Sequence, residues 1–582
     1  MRKKTRTVRS RRKQDSEGGF VAKVIKIVVI GGAIAAILAF GYMAYQGYGE
    51  RENLKSQIDS SLRKADSLQK AGSFEEAIKE YESILKIVSS KKFPGEYART
   101  QNNLGNAYSD LAEVRDKEIN LGKAIHAYQE ALNIRTVERY PIDYAMTQNN
   151  LGLAYWNLAK VRDKESNLEK ATNTFQEAFK IYTIESYPID YAKIQNNLGN
   201  AYINLAEVRD KESNLEKAIQ VYQEALKIYT VESYPLDYAR TQNNLGLAYR
   251  DLAGVRDKET NLEKAIQVYQ EALNIRTVES YPIDYAMTQN NLGSAYGGMS
   301  EVRNKELNLE KAINAFQEAF KIYTIAIYPI DYAKIQINLG NAYMNLAEVR
   351  DKESNLGKAI NAYQEARKIR TIESYPIDYA QTQNNLGNAY RNLAEVRDKE
   401  SNLEKAINAF QETLKIFTVE SYPIDYATIQ NNLGAAYGGL AEVRDKESNT
   451  EKAIHAYQEA LKICTIERYP IDYAMTQNNL GAAYGGLAEV RDKETNLEKA
   501  IHAFQEALNI RTVERYPIDY AQTQNNLGVA YIGLAEVRDK ETNLEKATKA
   551  YQEALKIYTE EKYPIPYQSV KSDLVEAQSQ LQ

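Results

Sequence analysis

The groups of this 582-residue chain that recur most regularly are side-chain amides, in a Gln-Asn-Asn triplet that returns every 47 residues. The first asparagine of the triplet is Asn102, followed by Asn149, Asn196, Asn243, Asn290, Asn384, Asn431, Asn478 and Asn525; Ile337 alone breaks the series. The second asparagine runs from Asn103 to Asn526 without a break. A carboxamide both donates and accepts hydrogen bonds. A row of carboxamides can therefore follow the backbone of an extended peptide without reading its side chains. The same row could bond to itself and to neighbouring helix backbone. Three cations, Lys193, Arg240 and Lys334, stand three residues before the first asparagine position of their copies, where a carboxylate could be met.

Other chemistry finds no pattern to rest on. There is no phosphate-cradling glycine loop, no nucleophile spaced with a base and no metal-ligand spacing. His126, His455 and His502 fall at matching positions of the repeat, away from any Cys, His or carboxylate cluster. The single cysteine, Cys464, excludes an intrachain disulfide. An enzyme is not expected, nor a cofactor, a metal or a small-molecule substrate. Residues 1–26 carry ten basic side chains against Asp15 and Glu17, yet the whole chain has a net charge of −5, so the rest is acidic. Phosphate binding needs clustered cations, and a nucleic acid ligand is not expected.

The elements that place the amides are legible from proline. Pro94 starts a series that reaches Pro564 at a constant spacing of 47 residues, and a fixed period of this size marks an array of supersecondary units. Proline at a first helical position needs no amide partner, and an acid two residues on, such as Asp190, suits the positive helix end. Ala192, Ile194, Leu198, Ala201, Tyr202 and Leu205 then recur at helical spacing, which predicts a first helix A. The charged RDKE stretch ends it, as a solvated loop does. Ser213-x-x-Glu216 reads as a capping box opening helix B, with Ala218, Tyr222, Ala225 and Leu226 as its buried stripe and Tyr234 as its end. The box fails at Leu307 and its frame is interrupted at Gly122 and Gly357, where helix B is expected to start less sharply. A helix-interior glycine costs about 1 kcal/mol against alanine. One nevertheless recurs in all ten copies, from Gly105 to Gly528, as a close approach of the partner helix would require.

Leu151, Gly152 and Tyr155 in helix A, with Ala171, Phe175 and Ala178 in helix B, resemble the tetratricopeptide repeat. The Gln-Asn-Asn-Leu-Gly run is similar to the longer repeats of kinesin light chains and of prokaryotic proteins of that kind. The resemblance spans residues 52–582. It implies an all-α, right-handed superhelical α-α solenoid, with the A helices lining a concave groove for a protein or peptide. Gln148 and its equivalents depart from the family, which places a large apolar residue there. Lys193, Arg240 and Lys334 are similar to part of the set in members that clamp a carboxylate. Selectivity would fall on positions that differ between copies. One is the series from Arg99 and Met146 to Gln522; another runs from Ser109 and Trp156 to Ile532, with Gly438 and Gly485 late in it.

The ends complete the organisation. Ile27 to Gly49 is a run of 23 residues without formal charge, long enough for a helix across the roughly 30 Å hydrocarbon layer. With the basic cluster before it, the positive-inside rule predicts an uncleaved signal anchor with a cytoplasmic N-terminus and an exported C-terminal array. The expected domains are a basic tail 1–26, a transmembrane helix 27–49, a shorter first unit 50–92, ten 47-residue units 93–563 and a capping helix 564–582. The expected function is a membrane-anchored receptor or scaffold holding a protein or peptide; a self-associating structural rod is the alternative.

Overall fold

The structure, a computed structural model, describes residues 48–581. The expected transmembrane segment 27–49 lies outside the described residues except for its last two. Among the described residues there are 23 helices and no strand, and no helix is long and apolar enough to cross a membrane. They form two compact units, the first ending at Asn261 and the second starting at Leu262.

Each 47-residue copy is a helix pair. Helix A begins at the series proline, as in Pro188–Ala206 and Pro423–Ala441. The residue before the proline, Tyr187 or Tyr422, is held near φ −141°, the extended backbone that a following proline enforces. Helix B is 16 residues long, as in Lys211–Leu226 and Lys446–Leu461. It therefore ends at Leu226 and not at Tyr234; residues 227–234 form the turns that lead to the next proline.

The start of helix B differs from the capping-box expectation. Ser213 is already inside the helix, and the boundary residue Asp210 sits in the left-handed region at φ 44°, with no side-chain cap bond. Asp, or Asn at position 304, takes this conformation in all ten copies, with φ between 43° and 47°. These two residue types tolerate it best after glycine. The side chain that fixes the turn is a buried asparagine four residues on: Asn214 donates from Nδ2 to the Arg209 carbonyl at 2.9 Å. The same bond recurs from Asn120 to Arg115 and from Asn543 to Arg538. The helices with the altered boxes, Lys117–Leu132, Lys305–Phe320 and Lys352–Arg367, accordingly start at the same point as the rest.

The core lies between A, B and the next A. The recurring glycine is where the helix B aromatic ring lies on helix A. A Cβ on Gly199 would stand 2.5 Å from Tyr222, and one on Gly387 2.6 Å from Phe410. It is the ring, more than the small residues of helix B, that requires glycine. Consecutive A helices also touch one another within each compact unit, whereas consecutive B helices do not, so the A helices form the inner layer. At the ends, helices Tyr48–Lys70 and Phe74–Leu85 make the shorter first pair, and Pro564–Leu581 packs on the last helix B through Val570 and Ala577.

Candidate functional site

Helix A carries its triplet on the side facing the next helix A, and this decides what the amides do. Asn102, Asn149, Asn196, Asn243, Asn290, Asn431 and Asn478 are buried, and Asn384 and Asn525 are half-buried. Several of their oxygens accept from the second asparagine of the following copy, while the buried oxygens of Asn196 and Asn525 have no partner among the described residues. Asn197 donates to Asn149 at 2.9 Å, Asn338 to Asn290 at 2.8 Å, Asn432 to Asn384 at 3.3 Å, Asn479 to Asn431 at 3.4 Å and Asn526 to Asn478 at 3.2 Å. A threonine of the following copy completes several sites: Asn196 donates to Thr241 at 2.6 Å, Asn431 to Thr476 at 2.8 Å, and Thr147 donates to Asn102 at 3.1 Å. The first asparagines are thus rungs of a ladder between copies, and much of their bonding capacity is met inside the fold.

Glutamine joins a second chain of bonds. Gln383 donates to the Tyr379 hydroxyl at 2.8 Å, and Tyr379 donates to Glu412 on helix B at 3.4 Å; Gln101, Tyr97 and Glu130 repeat the relay at 3.1 and 2.7 Å. This is why an amide replaces the family's apolar residue. Burial first, and the acidic partner with it, raises the hydroxyl pKa of Tyr97 above the ordinary phenol range. In a third arrangement, Tyr128, Tyr222 and Tyr363 on helix B donate to Asn106, Asn200 and Asn341 on their own helix A at 2.7 to 2.8 Å. Much of the count of 45 tyrosines is explained by these copied structural bonds.

Lys193, Arg240 and Lys334 are exposed on helix A. Arg240 pairs with Asp237 one turn earlier, while Lys193 and Lys334 have no ion pair among the described residues. The first two belong to the compact unit ending at Asn261 and Lys334 to the other. No hydrogen bond or ion pair joins Lys193 to Arg240. The whole series they belong to is exposed: Arg99, Met146, Met287, Gln381, Thr428, Met475 and Gln522 occupy the same place. Met146, Met287 and Met475 each expose more than a third of their surface.

Three buried arginines escaped the sequence reading. Arg135, Arg276 and Arg511 replace a residue that is aromatic in other copies, and each donates to a threonine twelve residues on, Thr147, Thr288 and Thr523, at 2.8 to 2.9 Å. Burial lowers the guanidinium pKa of Arg135 and Arg511, and Asp143 and Asp519 at 3.4 and 3.6 Å act against it. The signal was present in the sequence. Threonine accompanies these arginines, and isoleucine accompanies the aromatic at Tyr182/Ile194, Tyr323/Ile335 and Phe417/Ile429, although Tyr229 stands with Thr241. The RDKE loop also does more than stay wet. Arg444 bonds Glu400 and Glu404 of the preceding copy at 2.7 and 2.8 Å, and Lys399 bonds Glu442 of the following one at 2.5 Å. No group of His, Cys, Asp or Glu among the described residues could hold a metal.

Three segments, residues 192–228, 239–278 and 380–417, match the family described as Tetratricopeptide repeat. The chain therefore carries tetratricopeptide repeats, and each matched segment joins one helix A to its helix B. No curated protein matches the chain. Among solved structures, it is similar to the C-terminal part of a TPR repeat-containing protein from Cytophaga hutchinsonii, with 16% identity over 55% of this chain and 98% of that one, at a TM-score of 0.35. The apo form of RapI shares 16% identity over 71% and 98%, with a TM-score of 0.43. Yeast Tom70 shares 13% over 90% and 97%, with a TM-score of 0.28.

Proposed function

We propose that this protein is a membrane-anchored interaction scaffold that holds a protein or peptide against its A helices. The observation that carries the proposal is the series Arg99, Met146, Lys193, Arg240, Met287, Lys334, Gln381, Thr428, Met475 and Gln522. It is exposed in every copy and changes in size and charge on an otherwise copied frame. A repeated frame with one variable exposed position offers a partner a set of distinct contacts in fixed register. In this reading the asparagine ladder is the floor that fixes the register, and Lys193, Arg240 and Lys334 supply charge for acidic groups of the partner. Residues 27–49 tether the array to a membrane, with the N-terminus cytoplasmic and the repeats on the far side.

The test is capture by the full-length protein in detergent, beside a variant carrying Lys193→Glu, Arg240→Glu and Lys334→Glu, with helicity checked by circular dichroism. Specific proteins retained by the first and lost from the equally folded second support the proposal. Identical retention, or none, removes it. A reporter fused after Gln582 that works only in the cytoplasm overturns the orientation.

A second reading is favoured by the ladder itself. If the amides serve only the frame, the chain is a spacer or self-associating rod, and its mass by sedimentation rises with concentration.

A further inference from the structure

Two places on the A helices are built from matching residues and close differently. Arg135, Asn149, Tyr182, Asp190 and Ile194 of the earlier one correspond to Arg370, Asn384, Phe417, Asp425 and Ile429 of the later one. In the earlier place Asn102 accepts from Thr147 at 3.1 Å, and Arg135 donates to the same threonine at 2.8 Å. In the later place Ile337 stands for Asn102 and offers its threonine, Thr382, no acceptor. Arg370 makes no bond to Thr382 and donates instead to Asp378 at 3.0 Å; its side chain is 15% exposed, against 6% for Arg135. Lys193 is replaced there by Thr428, the smallest residue of its series. A cavity of about 320 Å³ results, lined by residues of three successive A helices, Pro329–Ala347, Pro376–Leu393 and Pro423–Ala441.

The groups lining this cavity do not form an anion site. Ile337, Phe417 and Ile429 make part of the wall apolar. The Asn384 oxygen accepts from Asn432 at 3.3 Å and from Asn388 at 3.5 Å. Its amide N–H groups have no acceptor among the described residues, since Ile429 stands where Thr241 and Thr476 accept from Asn196 and Asn431. The Asp425 carboxylate, also on the lining, has no partner among the described residues, because Phe417 stands where Arg370 reaches Asp378 in the copy before. One guanidinium, Arg370, is therefore set against two carboxylates, Asp378 and Asp425. Lys334, three residues before Ile337, is exposed and outside the lining. A ligand that complements this set brings a cation for Asp425, a carbonyl oxygen for Asn384 and an apolar group for Ile337.

We infer that this cavity receives the free amino terminus of the bound partner, with an aliphatic first residue. The α-ammonium meets Asp425, the first carbonyl oxygen accepts from Asn384 with Arg370 beside it, and the first side chain lies on Ile337. The volume falls at the lower end of the range of about 300–1,000 Å³ for ligand sites, enough for one terminal residue while the rest of the chain runs out over the A helices. The inference rests on the scaffold reading of that face, and it adds the feature by which a partner is placed in register.

The experiment is saturation-transfer NMR of leucyl-alanyl-alanine amide with the full-length protein in detergent, beside the N-acetylated peptide and free leucine. Saturable binding of the free peptide is expected, with none of the acetylated one, which lacks the ammonium. Asp425→Asn should weaken binding about tenfold or more, the size of a hydrogen bond to a charged group. Asp190→Asn, at the matching acid of the place that Asn102 closes, should leave it unchanged. Ile337→Asn, which restores the residue of nine other copies and gives Thr382 its acceptor, should weaken binding too. No saturable binding, equal binding of the acetylated peptide, or equal binding after Asp425→Asn overturns the assignment. Free leucine binding as tightly as the peptide overturns it as well, since the ligand would then be an amino acid and not a chain end. The scaffold reading is judged separately: proteins still captured through the exposed A-helix series while the peptide fails to bind would leave that reading standing and remove this site alone.

Discussion

The ring of Tyr222 lies on Gly199 so closely that a Cβ there would stand 2.5 Å from both Cε1 and Cζ. Tyr222 is fully buried and its hydroxyl is held by Asn200 at 2.7 Å, so the ring has nowhere to retreat. Gly199→Ala gains helix propensity of about 1 kcal/mol but forces overpacking that costs about 1–3 kcal/mol. The expected result is a net loss of local stability, read as faster amide exchange in Pro188–Ala206 and Lys211–Leu226. Gly438→Ala, where a Cβ meets nothing within 4 Å, is the contrast and should slow exchange around it.

Arg135 and Thr147 form a pair that three other copies replace by an aromatic and an isoleucine. Arg135→Phe alone removes the 2.8 Å bond to Thr147 and is expected to cost about 1–2 kcal/mol. Adding Thr147→Ile reproduces the Phe417/Ile429 pair and should recover most of it. A double-mutant cycle on denaturation midpoints measures the coupling. An additive result would show that the two sites are independent.

Alkaline pH should act through buried phenols. Burial first, with Asp190, Asp237 and Asp331 adding to it, pushes Tyr182, Tyr229 and Tyr323 up to about 12. An unfolded tyrosine titrates near 10. Between those values the unfolded chain binds fewer protons than the folded one, so stability falls as pH rises through this window and is unaffected by these groups below it. Absorbance at 295 nm should show these tyrosines ionising above the free phenol value, together with loss of ellipticity at 222 nm.

Cys464 belongs to the same argument. Burial, and then Asp472, pushes its thiol up to about 11. At pH 8 the thiolate is scarce and enclosed, so alkylation by iodoacetamide should be slow in the folded protein and rapid once it is denatured. Equal rates in both states would place the thiol at an open surface.

The ion pairs between successive copies are half exposed, and each is expected to contribute under about 1 kcal/mol. Glu400→Gln with Glu404→Gln, which removes the two partners of Arg444 in the preceding copy, should lower the thermal midpoint slightly at low salt. In 1 M NaCl the difference should vanish, because screening has already removed the attraction.

The sequence alone determined the helix pairs. Proline at the first helical position and a 47-residue period are local signals, fixed by backbone sterics and by the spacing of Ala192, Ile194 and Leu198. The glycine of each helix A was legible too, since its cost implied a close neighbour. Partners 44 to 48 residues apart were not legible, because a side chain's neighbour in the next copy depends on how the helix pairs stack. Stacking turned Asn149 and Asn431 from free amides into ladder rungs, and it buried Arg135 against Thr147. Packing also overrode the capping box: Asp210 at positive φ and the bond from Asn214 to Arg209 set the start of helix B. Only the tertiary structure could bring Gly438, Thr450 and Gly486 to one cavity, because a helix A, its helix B and the following helix A meet only when the helix pairs stack.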